Sequence, residues 1–378
     1  MSENDKKKEF EIQVAGTFAG ATNSSESVTL KVSAGQEKGW KGDSEIRVRR
    51  LEEAELAEMF RQAGAGTIED ADRFFNGFRY VWELQNGNYS LALDLGLSLL
   101  ARVKTVDADI YDTIHKGTPL YWLGMAAFLV HDYQTATFFF DAAVSEDIRA
   151  GRDPVNSPTP SFRFILIEGD QPGQAAQALV MVTQTKIEEA IADYDARPGR
   201  SSAISELTLF HIRDSFLKPA LSRGKESWRS LATTFISFFL EWDYRSKLLD
   251  LRVGAGTAEP FYLHLFKGCV LFESLLKTNP HNPPSLGLKT LGKVLDQLSS
   301  DLSIAGALRI GNTTFPEVVR DLSSADKKIE TAILFAGRIR NTVGHNLGWQ
   351  ADFDRSQYDL LAGMVASACL HAIACLYR

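Results

Sequence analysis

The chain has 378 residues, a length typical of two or three domains, and 44% of them are hydrophobic against 24% charged. These proportions, with only 28 glycines and 12 prolines, exclude a collagen-like or largely disordered chain. The 41 Lys and Arg residues against 48 Asp and Glu residues give a net charge of −7, which excludes a basic coat for non-specific duplex binding but leaves room for a small basic cleft.

Neither end of the chain carries an obvious targeting or membrane segment. The opening ten residues have no apolar core, so we expect no secretory signal. The most apolar stretches, near 231–240 and 360–376, contain polar residues at short intervals and lack the roughly 20 clean apolar residues of a membrane span. We therefore expect a cytoplasmic protein with no membrane partner.

The cysteine and histidine patterns argue against a metal centre. Cys269, Cys369 and Cys375 have apolar neighbours and no C-x-x-C spacing, which predicts reduced, buried thiols in a cytosolic protein. The 7 histidines are scattered without metal-ligand spacing. No glycine-rich stretch has the context of a phosphate-binding loop. We expect neither a metal nor a cofactor.

The first fifty residues differ from the rest because apolar and polar residues alternate there. The alternating apolar residues are Phe10, Ile12 and Val14, then Val28, Leu30 and Val32, then Ile46 and Val48. A period of two between Gly- and Ser-rich stretches predicts three short strands, hence a small β element over residues 1–50. A polar tail without a fold is the alternative interpretation.

From residue 51 the periodicity becomes helical. The predicted helices cover 52–63, 68–85, 89–104, 119–131, 133–149 and 174–196. The stretch 153–161, rich in Pro and Ser, predicts a linker or exposed loop, and the apolar run 162–170 fits a strand or a helix start equally well. The string RPGRSS at 197–202 is the preferred domain boundary, so residues 51–200 form one predicted domain.

Two helices of this domain have the small and large residues of a repeat hairpin. Gly124 and Ala136 would let the helices approach closely, and Phe140 would fill the groove beside them. With Leu123 and Ala143, this spacing resembles one tetratricopeptide repeat over residues 120–143. The resemblance implies a TPR-like region that senses a signal or binds a regulatory protein or ligand. A generic pair of helices explains the same residues.

The last part of the chain, residues 201–378, predicts a single helical bundle. Its predicted helices cover 203–222, 225–251, 258–278, 286–302, 324–343 and 355–377. The fifth of these carries an apolar stripe at spacings of three and four, made of Ile329, Ile333, Ala336 and Val343. The fold class we predict is therefore mainly α, with a helical bundle after a helical region and a small β element.

Arg340 falls on that same apolar stripe, where a charge is unfavourable unless it pairs or borders a cleft. His345 follows five residues later. On an ideal helix that step turns about 140°, so the two side chains would not share a face. Gly344 lets the helix end or distort, which could bring the imidazole back toward the guanidinium.

The string Arg340-Asn341-Thr342-Val343-Gly344-His345-Asn346 resembles the signature of the HEPN superfamily, whose ribonucleases carry Arg, a polar residue, a short spacer and His. The resemblance implies a HEPN-like bundle over about 203–378 and metal-independent RNA endonuclease activity. It also implies a homodimer, in which two motifs build one cleft, and a role as a toxin or antiphage-defence effector.

The roles implied for the motif follow the chemistry of RNA cleavage. His345 would be the general acid and base, because an imidazole titrates near neutral pH. Arg340 would stabilise the phosphorane-like transition state with a permanent charge, and Asn341 would orient the pair or hydrogen-bond a phosphate. Arg338 and Asn346 are candidate substrate-binding residues. For Arg338, two positions before Arg340, contact with RNA and simple solvation are both open, and solvation is favoured.

A structural role for the motif is the competing interpretation. Arg340 would then bridge an acidic residue and His345 would cap a helix, either in a family member without catalysis or in a helical scaffold that binds a partner through a dimerisation module. Glu273, inside the apolar run 266–276, could pair with Arg340 or reach the surface. The surface position is the one we favour from the sequence.

Overall fold

The computed structural model of the chain describes residues 10–14, 28–32, 44–169, 174–200, 206–222, 224–251, 258–279, 284–304, 308, 310–311, 313–345 and 354–377. For residues 10–14, 28–32, 44–50, 174, 284, 285 and 345 the description covers the backbone alone. The protein is mainly helical, as the sequence predicts. It divides into two compact units, Met1–Arg152 and Asp153–Arg378.

Three extended segments precede the helices of the first unit. They are β1 (Phe10–Val14), β2 (Val28–Val32) and β3 (Ser44–Arg50). The backbone of β3 lies between the other two, parallel to β1 and antiparallel to β2.

The helices of the first unit begin directly after β3. They are α1 (Glu53–Ala65), α2 (Ile68–Asn76), α3 (Arg79–Gln85), α4 (Tyr89–Val106), α5 (Ala108–Thr113), α6 (Gly117–Leu129) and α7 (Tyr133–Arg149). The single helix predicted over 68–85 is two helices, because Gly77 closes α2 and the chain restarts after Phe78. The short α5 was not predicted, although Asp107 caps it by accepting a hydrogen bond from the Ile110 amide.

The α6–α7 hairpin shows the close approach expected at Gly124. A Cβ atom at this position would lie 2.7 Å from the Phe140 ring, so only glycine fits at this crossing. Ala136 and Phe140 are both buried. The predicted packing of small residues against Phe140 is therefore present, and it holds α6 along α7.

The second unit contains the remaining helices. They are α8 (Pro160–Ile165), α9 (Gln174–Asp195), α10 (Leu209–Ile212), a π-helical turn (Arg213–Leu217), α11 (Lys218–Ala220), α12 (Glu226–Leu251), α13 (Glu259–Thr278), a 3-10 turn (Pro284–Leu288), α14 (Leu291–Leu298), α15 (Phe315–Leu322), α16 (Ile329–His345) and α17 (Arg355–Leu376). The undecided run 162–170 thus starts as a helix, because Thr159 caps α8 and Pro160 occupies its first turn.

The core of the second unit is built around α13, which packs against α12, α16 and α17. Gly268 allows this contact, since a Cβ atom there would lie 2.5 Å from Phe238 of α12 and 2.6 Å from Val365 of α17. Helix α17 is buried on almost every side. These contacts place α16, the helix with the Arg340 motif, directly beside α13.

Among the described helices, only α17 is long and apolar enough to cross a membrane by length and composition. Most of its apolar length is buried inside the second unit. A helix that is hydrophobic all round is also what the centre of a bundle requires.

The division between the units differs from the predicted boundary at residue 200. The chain divides at the Pro- and Ser-rich loop after Arg152, which the sequence identified only as a linker or exposed loop. Helix α9, assigned to the earlier domain by its sequence position, packs on α12 and α17. Periodicity identified the helix but could not show which core its apolar face joins.

Candidate functional site

Helix α16 carries the Arg340 motif and runs without a break to His345. Its predicted stripe is confirmed, because Ile329, Ile333, Ala336 and Val343 are buried. The helix continues two residues past its predicted end, through Gly344. A Cβ atom on Gly344 would lie 3.3 Å from the Phe266 ring, so this glycine serves close packing on α13 rather than a helix end.

Arg340 is held by a carboxylate from the neighbouring helix. Its Nε donates a hydrogen bond to Glu273 Oε2 over 2.8 Å. The carboxylate side chain is 9% exposed, whereas the arginine side chain is 32% exposed. The surface position favoured for Glu273 from the sequence is therefore wrong, and its alternative, pairing with Arg340, is present. The buried Glu273 carboxylate therefore holds the Arg340 side chain, which is still partly exposed to solvent.

Lys277 gives the same carboxylate a second partner. One turn along α13, its Nζ donates to Glu273 Oε1 over 2.6 Å. Each oxygen of the Glu273 carboxylate thus receives a charged donor, which satisfies a group that burial would otherwise destabilise. We call Glu273, Arg340 and Lys277 the Glu273 network. It contains one carboxylate and two cations, so it carries a net positive charge.

Asn341 lies against the other side of the guanidinium. Arg340 donates from its Nη1 to Asn341 Oδ1 over 3.2 Å, and Asn341 is half-buried. Two contacts therefore restrict the arginine, one on its Nε and one on a terminal nitrogen. A planar donor group restricted in this way can present its remaining edge to a phosphate.

Arg338 belongs to a different group of residues. It donates from its Nη2 to Asp321 over 2.7 Å and to the Thr313 hydroxyl over 3.1 Å, and it lies over the Phe335 ring. Its side chain is largely buried, so the solvated position favoured from the sequence is wrong. The hydrogen bond and charge of Arg338 lower the pKa of Asp321. The structure does not bring Arg338 to the Glu273 network.

The histidine of the motif is described only by its backbone, and Asn346 lies outside the described residues. The backbone is helical through position 345. The five-residue step from Arg340 therefore turns about 140°, which places the two positions on different sides of α16. Gly344 does not redirect the chain before that point.

A second carboxylate between cations lies on the α12 side of α13. Glu241 accepts hydrogen bonds from Lys267 Nζ over 2.6 Å and from Arg245 over 3.0 Å. Burial alone would raise the pKa of Glu241, but the nearby charges of Lys267 and Arg245 bring it below its ordinary value. We call Glu241, Lys267 and Arg245 the Glu241 network. Sequence analysis identified none of these three residues.

Two other histidines of the bundle lie in its core. His264 is stacked on Phe238 and bonded to Tyr358, and His371 is bonded to Tyr194 and the Leu302 carbonyl. Burial lowers the pKa of each to about 4, so both are neutral at physiological pH. Neither is therefore available for catalysis.

The first unit holds a buried histidine that the sequence did not single out. His115 Nε2 lies 2.9 Å from Asp147 Oδ1, and its Nδ1 lies 3.2 Å from Asp72 Oδ1. Burial lowers the pKa of the imidazole, but the two carboxylates outweigh it and raise the pKa to about 9. We call these three residues the His115 cluster. Along the chain, Asp147 is 32 residues and Asp72 is 43 residues from His115, so no local sequence pattern predicts the cluster.

A cleft of about 640 Å³ opens elsewhere in the second unit. Its charged and aromatic lining includes Lys186, Asp193, Arg197, Trp242, Arg355 and Asp359. The cations in this wall are paired, Arg197 with Asp193 and Arg355 with Asp359, while Lys186 lies over the Trp242 ring. None of the residues of the Arg340 motif lines this cleft.

The described part of the chain shows no group of three His, Cys, Asp or Glu side chains arranged to hold a metal ion. Cys269, Cys369 and Cys375 are free thiols and all three are buried, as the sequence predicts.

Comparison of the chain with protein-family models, with curated proteins and with solved structures gives no match. The functional argument therefore depends on the residues and their geometry.

Proposed function

We propose that the protein is a metal-independent RNA endonuclease of the HEPN type. The observation that carries the proposal is the state of Arg340, which a buried carboxylate holds in place while a third of its side chain remains exposed. It stands five residues before His345, in the order and spacing of the motif. A fixed, accessible guanidinium is what a phosphoryl transition state requires.

The reaction in this proposal is an internal attack within the RNA. His345 removes the proton of the ribose 2′-OH, and the resulting oxygen attacks the adjacent phosphorus. The bond to the 5′-oxygen breaks, and a protonated imidazole supplies the proton to that leaving oxygen. The products are a 2′,3′-cyclic phosphate and a 5′-OH end. Arg340 stabilises the charge on the equatorial oxygens, and Asn341 keeps the guanidinium oriented.

A homodimer completes the site in this proposal. Arg340 and the position of His345 lie about 140° apart on α16, so one copy alone does not place them on one side of the helix. Two copies related by a two-fold axis bring a second motif to the same cleft. The bundle formed by α12, α13, α16 and α17 is then HEPN-like, and Asn346 is part of the cleft.

The first unit has a controlling role in the same proposal. The α6–α7 hairpin is a TPR-like module that binds a regulatory protein or ligand, and a small β element precedes it. The whole chain acts in the cytoplasm as a toxin or antiphage-defence effector. The buried, free thiols of the described residues fit a reducing compartment.

Cleavage of a labelled RNA in the presence of a chelator tests the proposal. We expect the wild type to cut and to leave a cyclic phosphate, and Arg340→Ala or His345→Ala to reduce the rate at least about 100-fold. Arg320→Ala is the matched control, because Arg320 is a well-exposed arginine on α15 outside the motif. Equal cutting by both motif variants, or no cutting by a wild type tested with and without metal, contradicts the proposal.

A non-catalytic scaffold with a HEPN-like dimerisation module is the second candidate. The Arg340–Glu273 ion pair favours it, because this contact also satisfies a purely structural arginine. The two candidates differ in what Arg340→Lys does. In the scaffold a lysine keeps the charge and most of the stability with no activity to lose, whereas in the nuclease it lowers cleavage strongly because the planar donor group is gone.

A further inference from the structure

One face of α13 remains open to solvent between α12 and α16. We call it the α13 face, and it consists of Leu263, Phe266, Lys267, Val270, Ser274 and Lys277. These positions recur at spacings of three and four, so they form one strip along the helix. Lys267 contacts Glu241 of α12 on one side, and Phe266 lies beside Gly344 of α16 on the other.

The apolar residues of the α13 face are accessible to solvent. Leu263 is 43% exposed and Val270 is 40% exposed, and Phe266 is half-buried between them and α16. An exposed aliphatic and aromatic strip on a packed helix is a surface that nucleobases can cover.

Cations border this strip, each backed by a carboxylate beneath it. The Glu241 network supplies Lys267 and Arg245, and the Glu273 network supplies Lys277 and Arg340. The four cationic side chains are between 14% and 32% exposed, whereas the two carboxylates are 4% and 9% exposed. Lys267, Lys277 and Arg340 are therefore partly accessible to solvent, Arg245 is largely buried, and both carboxylates face the core.

The charge of this surface is opposite to that of the whole chain. The two networks together carry two net positive charges, in a protein whose formal charge is −7. Lys267 and Lys277 are ten residues apart on one helix, which separates them by about 15 Å. A polyanion that runs along α13 meets positive charge at Lys267, one turn from the Leu263 end of the strip, and at Lys277 and Arg340 at the other end.

We propose that the α13 face binds single-stranded RNA, with the phosphates on Lys267 and Lys277 and the bases over Leu263, Phe266 and Val270. This inference rests on the proposed nuclease function, because it assigns the path by which the strand reaches Arg340. The accessible cations of this strip, Lys267 and Lys277, fit a polyanion better than a second copy of the same positively charged strip.

Binding of a probe that cannot be cleaved tests this path. A fluorescent 2′-O-methyl oligouridylate lacks the attacking hydroxyl, so its anisotropy reports binding alone. We expect Lys267→Gln with Lys277→Gln to weaken binding about tenfold or more at low salt. The slope of log affinity against log salt should become shallower by about 1.4, since each phosphate contact on a single strand contributes about 0.7.

The chain offers a matched control and a rescue for this experiment. Lys247 forms the same type of pair, with Asp243 four residues before it, but it lies about 200° around α12 from Arg245. Lys247→Gln should leave affinity and slope unchanged. Lys267→Arg with Lys277→Arg should keep both near the wild-type values. Each carboxylate keeps an arginine partner in the Gln variants, so a thermal melt should show a folded protein.

The outcomes separate this inference from the proposed function. An unchanged salt slope in the double Gln variant, or an equal change in Lys247→Gln, contradicts binding on the α13 face even if the wild type cuts RNA. A weaker affinity caused by loss of a dimer, seen by sedimentation, contradicts it as well. A wild type that binds the probe as expected and never cuts RNA supports the surface and contradicts the nuclease.

Discussion

In the first unit a cation lies buried between two carboxylates, and in the second unit a carboxylate lies buried between two cations. The imidazole of His115 is inaccessible and both of its nitrogens contact aspartates. Around Glu273 the order is reversed, because the carboxylate is inside and Arg340 and Lys277 reach solvent.

The difference shows which ion pairs can act on a ligand. In the His115 cluster both nitrogens of the buried imidazole contact carboxylates of the fold, so the cluster connects α2 and α7 with the start of α6. In the Glu273 network the buried partner fixes the accessible one, which leaves a positioned cation for an incoming anion. Substitutions in the two regions should therefore have different effects on stability and on activity.

Asp147→Asn should destabilise the first unit most. It leaves a buried imidazolium with only the partly exposed Asp72, and breaking a buried pair in this way costs about 3–5 kcal/mol. Asp72→Asn should cost about 1 kcal/mol because water can replace that carboxylate. Urea unfolding measures both free energies of unfolding. Equal losses for the two variants would show that burial of the partner does not decide the effect.

The stability of the first unit should fall as the pH rises from about 6.5 through about 9. The pKa of His115 is 6.5 in an ordinary setting and about 9 in the folded unit, so the charged form favours the fold. This contribution, on the order of 2–3 kcal/mol, is complete below pH 6.5 and is lost above pH 9. Unfolding curves across this range check it, and Asp147→Asn should make the dependence shallower.

Glu273→Gln should lower the cleavage rate about tenfold while the fold is retained. The amide still accepts a hydrogen bond from Arg340, but it no longer fixes the guanidinium by charge. Because Glu273 does not touch RNA in the proposal, the loss should be in kcat with KM nearly unchanged. A drop in thermal stability with no change in kcat would assign Glu273 a structural role only.

Arg338→Ala should have the smallest effect on function. Its partners Asp321 and Thr313 lie away from the Glu273 network, so the cleavage rate should stay within about twofold of the wild type. The loss of one largely buried pair with a half-exposed aspartate should reduce the free energy of unfolding by about 1 kcal/mol. A large loss of cleavage at full stability would return Arg338 to the list of substrate contacts.

Local pattern was enough to predict most of the helices and the apolar stripe of α16. It also predicted the close approach at Gly124, because a small residue opposite an aromatic one is visible within a single hairpin. The capping residues of α8 and α15 are Thr159 and Thr314. Thr159 lay in the predicted linker or exposed loop 153–161, and Thr314 lay between two predicted helices.

Contacts between distant parts of the chain could not be predicted. Glu273 and Arg340 are 67 residues apart, and only the packing of α13 on α16 decides that they meet. The His115 cluster has the same origin. The four-residue spacing of Glu273 and Lys277 is a sign in the sequence of a pair along one helix, and it was not used in the prediction.

The order of the helices along the chain has a consequence for synthesis. Helix α16, with Arg340, leaves the ribosome before α17, and α17 packs against α9, α12, α13 and α16. Until α17 has been made, a nascent chain displays the motif on a bundle whose centre is missing. Because α17 packs on both α13 and α16, the two helices that hold the Glu273 network receive part of their packing from the last helix to be made.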